Sequence, residues 1–88
     1  MTSTVTLLTQ HDCTLCEDAK QVLTRVGRDH RLDVQEISLD TPAGKELAVR
    51  HSVLFAPGVL LDGKPFGYGR LSERKLRRAL AQRTTVHG

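Results

Sequence analysis

Residues 5–16 read VTLLTQHDCTLC, and this stretch decides the fold. Its first five residues are apolar or β-branched, which is typical of a buried strand. Its last four residues form a Cys-x-x-Cys motif that begins at Cys13 and ends at Cys16. After the motif, apolar residues recur at steps of three and four until Gly27, which predicts an amphipathic helix. The two cysteines are therefore expected where a strand meets a helix.

The next predicted elements are a strand and a helix. In residues 32–39, apolar side chains fall on both faces of the strand, at its opposite ends. Such a strand is expected to be covered on both sides, as in parallel α/β sheets. Thr41 and Pro42 then begin a helix that runs to about residue 50, because threonine is a good N-cap and proline is tolerated in the first turn.

A β-hairpin is predicted in the second half of the chain. Residues 59–61 and 64–68 have the composition of strands, and the intervening Asp62-Gly63 is a strong signal for a tight turn. Pro65 lacks a backbone N–H group, which favours an edge position for the second strand of the hairpin.

The element order is strand, helix, strand, helix, strand, strand, helix, with Ser72 as the cap of the final helix. Strands joined by a helix are parallel, whereas a hairpin is antiparallel. We therefore predict an α/β fold with a four-stranded mixed sheet and helices on both faces. The length of 88 residues fits a single domain, 1–88, and residues 84–88 are expected to form a flexible tail.

Composition restricts the classes of function and partner. The net charge is only +3, and the aromatic residues are Phe55, Phe66 and Tyr68, too few for a base-stacking surface, so no nucleic-acid partner is expected. No apolar run reaches the ~18 residues of a membrane helix, and no signal peptide is visible. We therefore expect a monomer in the cytoplasm with no membrane partner. A cysteine pair there is more often catalytic or metal-binding than structural.

The spacing of the motif suits reversible disulfide chemistry. Residues three apart on a helix have Cβ atoms ~5–6 Å from each other, close to the ~3.5–4.5 Å that a disulfide needs. A thiolate at Cys13 would meet the unsatisfied N–H groups and the positive dipole end of the helix. We therefore predict thiol–disulfide exchange in which Cys13 is the nucleophile and Cys16 resolves the mixed disulfide.

Two other functions use the same cysteines. A zinc or iron–sulfur site would need further ligands, and the chain has no second Cys-x-x-Cys motif, although His11 lies close enough to Cys13 for a site shared between two chains. Alternatively, the pair acts as a redox sensor whose oxidation state controls a partner. We predict no bound metal and no bound cofactor.

The segment around Ala56-Pro57 is similar to a region of glutaredoxins and thioredoxins, and together with the motif it makes the chain resemble a small bacterial glutaredoxin-like family. The resemblance implies a thioredoxin fold (βαβαββα) for nearly the whole chain. It also implies that Pro57 is cis and lies beside Cys13, and that the backbone of Ala56 pairs with an extended peptide or glutathione. Thr14 and Leu15, inside the motif, join them as expected substrate-binding residues.

The chain departs from the glutaredoxin pattern at two positions that bear on glutathione. Gln10 stands where typical glutaredoxins carry a basic residue, and Arg70 stands where an acidic residue is expected. The expected partners are a disulfide-containing protein or small molecule and a reductase or glutathione as electron donor, with glutathione left open by these departures. The last helix has a basic face, and one more arginine, Arg70, precedes it. This face is either simply solvated or a docking site for an acidic partner, and its helical residues are Arg74, Lys75, Arg77 and Arg78.

Overall fold

A computed structural model describes residues 2–85 and shows the predicted order of elements. The elements are β1 (Ser3–Thr9), α1 (Thr14–Val26), β2 (Leu32–Ser38), α2 (Pro42–Arg50), β3 (Gly58–Leu61), β4 (Lys64–Tyr68) and α3 (Glu73–Thr85). Helix α3 includes the first two residues of the tail that was expected over 84–88. The rest of that tail, residues 86–88, lies outside the described residues.

The four strands form one mixed sheet in the order β2-β1-β3-β4. Strands β1 and β2 are parallel, as expected for strands joined by a helix, and Val5 pairs with Val34. Strands β1 and β3 are antiparallel, with Leu8 opposite Gly58. Strand β4 is antiparallel to β3 and lies at the sheet edge. The predicted mixed sheet is confirmed, and so is the edge position of the strand that contains Pro65.

The hydrophobic core lies between one face of the sheet and the helices α1 and α3. Val5 and Leu7 are two positions apart in β1, so their side chains point to the same face of the sheet, and both are fully buried. They pack with apolar residues of α1, β3 and the α3 region: Ala19, Val22, Leu23, Val26, Val59, Leu61, Leu71, Leu76 and Leu80. Burying each large side chain contributes about 1.5–3 kcal/mol of transfer free energy, which makes this cluster the main source of stability.

The opposite face of the sheet is covered by α2 and the segment that follows it. Leu8 and Leu60 point to this face and are almost completely buried. Gly58 lies against the side chains of Leu8 and Val53, and Val53 follows α2. Helices therefore lie on both faces of the sheet, as predicted.

The expectation that the second strand is covered on both sides is wrong. Strand β2 is an edge strand, and its residues from Asp33 to Glu36 are exposed. Val34 keeps 39% of its surface accessible. The apolar residues at the two ends of β2 are only half-buried, because α1 and α3 pack over the central strands β1 and β3 rather than over β2. An apolar pattern does not by itself reveal whether a strand is central or at an edge.

Local signals at the element ends act as predicted. The Thr41 hydroxyl accepts a hydrogen bond from the Gly44 N–H group at 3.0 Å and caps α2. The Ser72 hydroxyl accepts from Lys75 at the start of α3 at 3.2 Å. Asp62 and Gly63 both adopt positive φ, at 50° and 81°, which is the conformation of a tight hairpin turn. Among residues 2–85, no helix is long and apolar enough to cross a membrane.

Candidate active site

Cys13 opens helix α1 as its N-cap residue. Its backbone is extended, with φ −113° and ψ 104°, and its sulfur accepts a hydrogen bond from the Cys16 N–H group at 3.1 Å. Asp12, directly before it, has a φ of 53° and turns the chain from the end of β1 into the helix. The sulfur therefore replaces the oxygen of a usual N-cap side chain and accepts from one of the N–H groups that the first turn leaves without an intrahelical partner.

Cys13 and Cys16 form a disulfide, and their Cα atoms are 5.2 Å apart. The two side chains differ in accessibility. Cys16, one turn into the helix, is 1% exposed, whereas Cys13 is only half-buried. The predicted pair is therefore brought together from one residue that is partly accessible to solvent and one that packs inside the protein.

A depression on the loop side of Cys13 carries acidic groups. Its lining comes from the loop after β1 and the first turns of α1: Gln10, His11, Asp12, Cys13, Thr14, Glu17 and Lys20. The Lys20 ammonium lies 3.0 Å from Glu17 and 3.3 Å from Glu36 of β2. These hydrogen bonds, first to Glu17 and then to Glu36, raise the pKa of Lys20. The lysine thus remains charged and is already neutralised by carboxylates.

The start of β3 lies at the same end of the sheet as the motif. The peptide bond between Ala56 and Pro57 is cis, and both residues are buried. Strand β3 is antiparallel to β1, and Gly58 pairs with Leu8 near the end of β1. Pro57 therefore lies at the end of the sheet where the chain leaves β1 toward Cys13. The Pro57 carbonyl accepts a hydrogen bond from the Gly69 N–H group at 2.8 Å, which holds the segment after β4 at this end of the sheet.

The two residues inside the motif face different sides of it. Thr14 is exposed and lines the same depression as Cys13. Leu15 is half-buried and lines a second groove, between α1 and the start of α3, together with Arg70 and Leu71. The structure therefore groups Thr14 with Cys13, and it places Leu15 beside the segment that precedes α3.

A family model for the glutaredoxin-like domain (DUF836) matches residues 4–81, which is most of the chain. The chain belongs to the glutaredoxin-like domain family. Among solved structures, this glutaredoxin-like domain is similar to a thioredoxin from Thermus thermophilus. The two share 23% identity and a TM-score of 0.65, over 98% of this chain and 76% of that one.

Two further structures support the fold of the glutaredoxin-like domain. A mutant thioredoxin from Halobacterium salinarum matches with a TM-score of 0.70 and 19% identity, over 91% of this chain and 73% of that one. An uncharacterised thioredoxin-like protein from Clostridium perfringens matches with a TM-score of 0.72 and 14% identity, over 91% and 69%. No curated protein sequence matches the chain. At these identities the structural matches establish a thioredoxin-like fold, on which this chain carries the Cys13–Cys16 disulfide.

An aromatic pair beside the cis proline was missed by the sequence analysis. The rings of Phe55 and Tyr68 meet edge to face with their centroids 5.0 Å apart, and both side chains stay about half exposed. Tyr68 is opposite Gly58 in the β3–β4 register, which brings it next to the residue before Ala56. The available signal was Phe55 itself, an apolar residue directly before Ala56-Pro57 in a segment with no strand pattern.

The described part of the glutaredoxin-like domain contains no group of three or more His, Cys, Asp or Glu side chains arranged for a metal ion. His11 lies 3.5 Å from Asp12, and both side chains are largely exposed. Within residues 2–85, the cysteines are engaged with each other in the disulfide.

Proposed function

We propose that this glutaredoxin-like domain is a thiol–disulfide oxidoreductase whose reduced cysteine pair donates two electrons to a disulfide substrate. The observation that supports it is the asymmetry of the pair. Cys13 caps α1, is only half-buried and lines an open depression, whereas Cys16 is 1% exposed. A substrate sulfur that approaches from solvent reaches Cys13 and not Cys16.

The reaction balances in two exchange steps. The Cys13 thiolate attacks one sulfur of the substrate disulfide, forms a mixed disulfide with it and releases the other sulfur as a thiolate, which takes up a proton. The Cys16 thiolate then attacks the Cys13 sulfur, closes the Cys13–Cys16 disulfide and releases the second substrate thiol. The substrate is reduced by two electrons and the protein is oxidised by two. The helix N-terminus and the Cys16 N–H group favour the anionic form of Cys13 in the first step.

The cysteine pair must then be reduced again by a reductase dithiol or by two molecules of glutathione. We place this cycle in the cytoplasm, where thiols are kept reduced. Gln10 lines the depression beside Cys13 and adds no positive charge there. A glutathione carboxylate would therefore lack the basic side chain that typical glutaredoxins carry at this position. A reductase dithiol is accordingly the donor that we favour over glutathione.

Four residues are proposed to contact the substrate. The backbone of Ala56 precedes β3 at the end of the sheet nearest the motif, where an extended chain could pair with it, and Pro57 lies beside it. Thr14 and Leu15 border Cys13 on its two sides. Since these residues offer backbone groups and one hydroxyl rather than a deep cavity, we infer that the substrate is a polypeptide disulfide.

Two cysteine variants test the proposed order of steps. With Cys16→Ser, the mixed disulfide at Cys13 has no internal resolving thiol, so incubation with a disulfide peptide should accumulate a covalent adduct detectable by mass spectrometry. With Cys13→Ser, no adduct should form, because the remaining sulfur is buried. An adduct of equal yield on Cys16 in the Cys13→Ser protein would contradict the assignment of the nucleophile.

The reduction potential tests the function as a whole. The wild-type protein is equilibrated in glutathione redox buffers and its free thiols are trapped and counted. A reversible two-electron transition between about −200 and −290 mV is expected, the range of glutaredoxins and thioredoxin. If the Cys13–Cys16 pair stays oxidised or inaccessible across this range, the protein is not an electron carrier. Oxidation without turnover of any disulfide would instead support the sensor alternative.

A further inference from the structure

Four cations around the start of α3 have no partner within the part of the chain whose side chains the structure describes, residues 2–82. We call them the basic ridge: Arg70, Arg74, Lys75 and Arg78, all exposed. Other arginines of the same region are paired, since Arg25 binds Glu73 and Arg77 binds both Glu73 and Asp29. The protein thus neutralises the cations between its helices and leaves those of the ridge available to a ligand from outside.

The basic ridge begins beside the proposed active site. Arg70 lines the groove that also contains Leu15 of the motif. Arg70 and Lys75 line a neighbouring groove with Tyr68 and Gly69. The Gly69 N–H group donates to the Pro57 carbonyl. A polypeptide that passes Pro57 on its way to Cys13 therefore lies next to the basic ridge.

Charge has the opposite sign on the other side of the motif. The depression beside Cys13 is lined by Asp12 and Glu17, and its cation, Lys20, is held by Glu17 and Glu36. A partner with acidic residues on only one side of its cystine is therefore attracted in one orientation and repelled in the reverse one.

We propose that the basic ridge is the docking surface for an acidic segment of the disulfide-containing protein that this domain reduces. The inference rests on the proposed function and adds to it the substrate class: a polypeptide whose cystine is followed on one side by aspartate and glutamate. Single exposed ion pairs contribute little, but several like charges around one site raise association rates by about 10-fold or more and make them sensitive to salt. The ridge is thus expected to act chiefly on the rate of encounter.

The experiment compares two peptides with the same internal disulfide and either an acidic or a basic flank. The rate constant for their reduction by the reduced protein is measured at low and at high salt. At low salt the acidic peptide should react about 10-fold faster than the basic one, and high salt should remove the difference. The double variant Arg70→Glu with Arg74→Glu should abolish or reverse the preference.

A matched double variant, Arg28→Glu with Arg31→Glu, makes the same change in net charge at the opposite end of the sheet. Both side chains are exposed, and the Arg31 carbonyl accepts from Ser3 at the start of β1, away from the motif. This variant should keep most of the preference for the acidic peptide. Equal loss in both variants would show a net-charge effect and would overturn the docking surface.

A binding measurement separates failure of this inference from failure of the proposed function. Fluorescent acidic peptide without cysteines is titrated with oxidised protein, and binding should be lost in the ridge variant but not in the control. Binding without reduction of any disulfide would refute the redox function and leave the docking surface standing. Reduction without charge preference, or equally tight binding of a single-stranded oligonucleotide of the same charge, would overturn the inference.

Discussion

Cys13 and Cys16 are three positions apart, yet their sulfurs have different surroundings. The extended backbone of Cys13 keeps its side chain at the N-terminus of α1, where the sulfur accepts a hydrogen bond from the Cys16 N–H group. Cys16 has entered the helical turn and packs inside. The order of the proposed exchange steps follows from this difference in burial, because an incoming disulfide needs access and a resolving thiol needs only proximity to Cys13.

Another residue with a special backbone, Ser52, lies just after α2. Its φ is 55°, a left-handed conformation that an L side chain disfavours by roughly 1–2 kcal/mol. The Val53 N–H group donates to the Ala48 carbonyl at 2.8 Å, so the helix ends in the motif that usually has glycine at this position.

We predict that Ser52→Gly raises the free energy of unfolding by about 0.5–1 kcal/mol, since the removed strain exceeds the entropy that glycine adds to the unfolded chain. The measurement is the denaturant midpoint at unchanged m-value. Ser52→Ala is the control and should gain nothing, because it keeps the Cβ atom. A Ser52→Gly protein less stable than wild type would mean that the serine side chain has a role of its own.

At the scale of elements, α2 is attached to the end of β2 by close contact of two backbones. The Thr41 hydroxyl donates to the Ser38 carbonyl at 2.7 Å while it caps the helix through Gly44. A Cβ atom at Gly44 would lie 2.7 Å from the Ser38 carbonyl carbon and closer still to its oxygen. The absence of a side chain at Gly44 is therefore what lets the helix approach the strand.

Gly44→Ala should lower the free energy of unfolding by about 1–3 kcal/mol through overpacking. The sign is diagnostic, because alanine in a freely exposed helix would instead stabilise by about 1 kcal/mol. Gly67→Ala, in β4, is the control and should be neutral or stabilising by up to about 1 kcal/mol, since an added Cβ there meets nothing within 4 Å. Thermal and denaturant unfolding of both variants checks the pair, and a stabilised Gly44→Ala protein would refute the close approach.

At the scale of the whole molecule, an ion-pair network joins the two helices that enclose the core. Glu73 of α3 binds Arg25 of α1 at 2.9 Å and Arg77 at 3.0 Å, and Arg77 also binds Asp29 at 2.7 Å. Hydrogen bonds from Arg25, and then from Arg77, lower the pKa of Glu73 below its usual value of 4.5. The network thus connects the packing of α1 on α3 to pH.

The depressed pKa fixes the sign of the pH dependence. Because the folded state binds the Glu73 proton less tightly than the unfolded chain does, the network stabilises the fold above the usual pKa of 4.5 and loses this contribution as the pH falls through the lower pKa of the folded state. Glu73→Gln should therefore have a lower Tm than wild type at pH 7, and the difference should shrink below about pH 4.

Thermal melts over this pH range test the network. Glu46→Gln serves as the control, because Glu46 pairs only with Arg50 of its own helix in the described residues and should cost less at pH 7. A gap between Glu73→Gln and wild type that stays constant down to pH 2 would exclude the carboxylate as its source.

Several features were predictable from sequence because they depend on neighbours along the chain. The order of the elements follows from apolar periodicity and capping residues, and the hairpin follows from Asp62-Gly63. The position of Cys13 at the start of a helix follows from the strand that precedes it and the amphipathic pattern that follows it. The pairing of Cys13 with Cys16 likewise needs only one helical turn.

The tertiary structure decided which residues that are distant in sequence lie next to each other. The edge position of β2, which makes Val34 exposed, depends on strand order, and strand order depends on contacts distant in sequence. The contact between Phe55 and Tyr68 follows from the β3–β4 register. Arg70 reaches the motif groove beside Leu15 only because α3 packs on α1. Short-range pattern thus determined the elements and the cysteine pair, whereas long-range packing determined which surfaces and charges surround that pair.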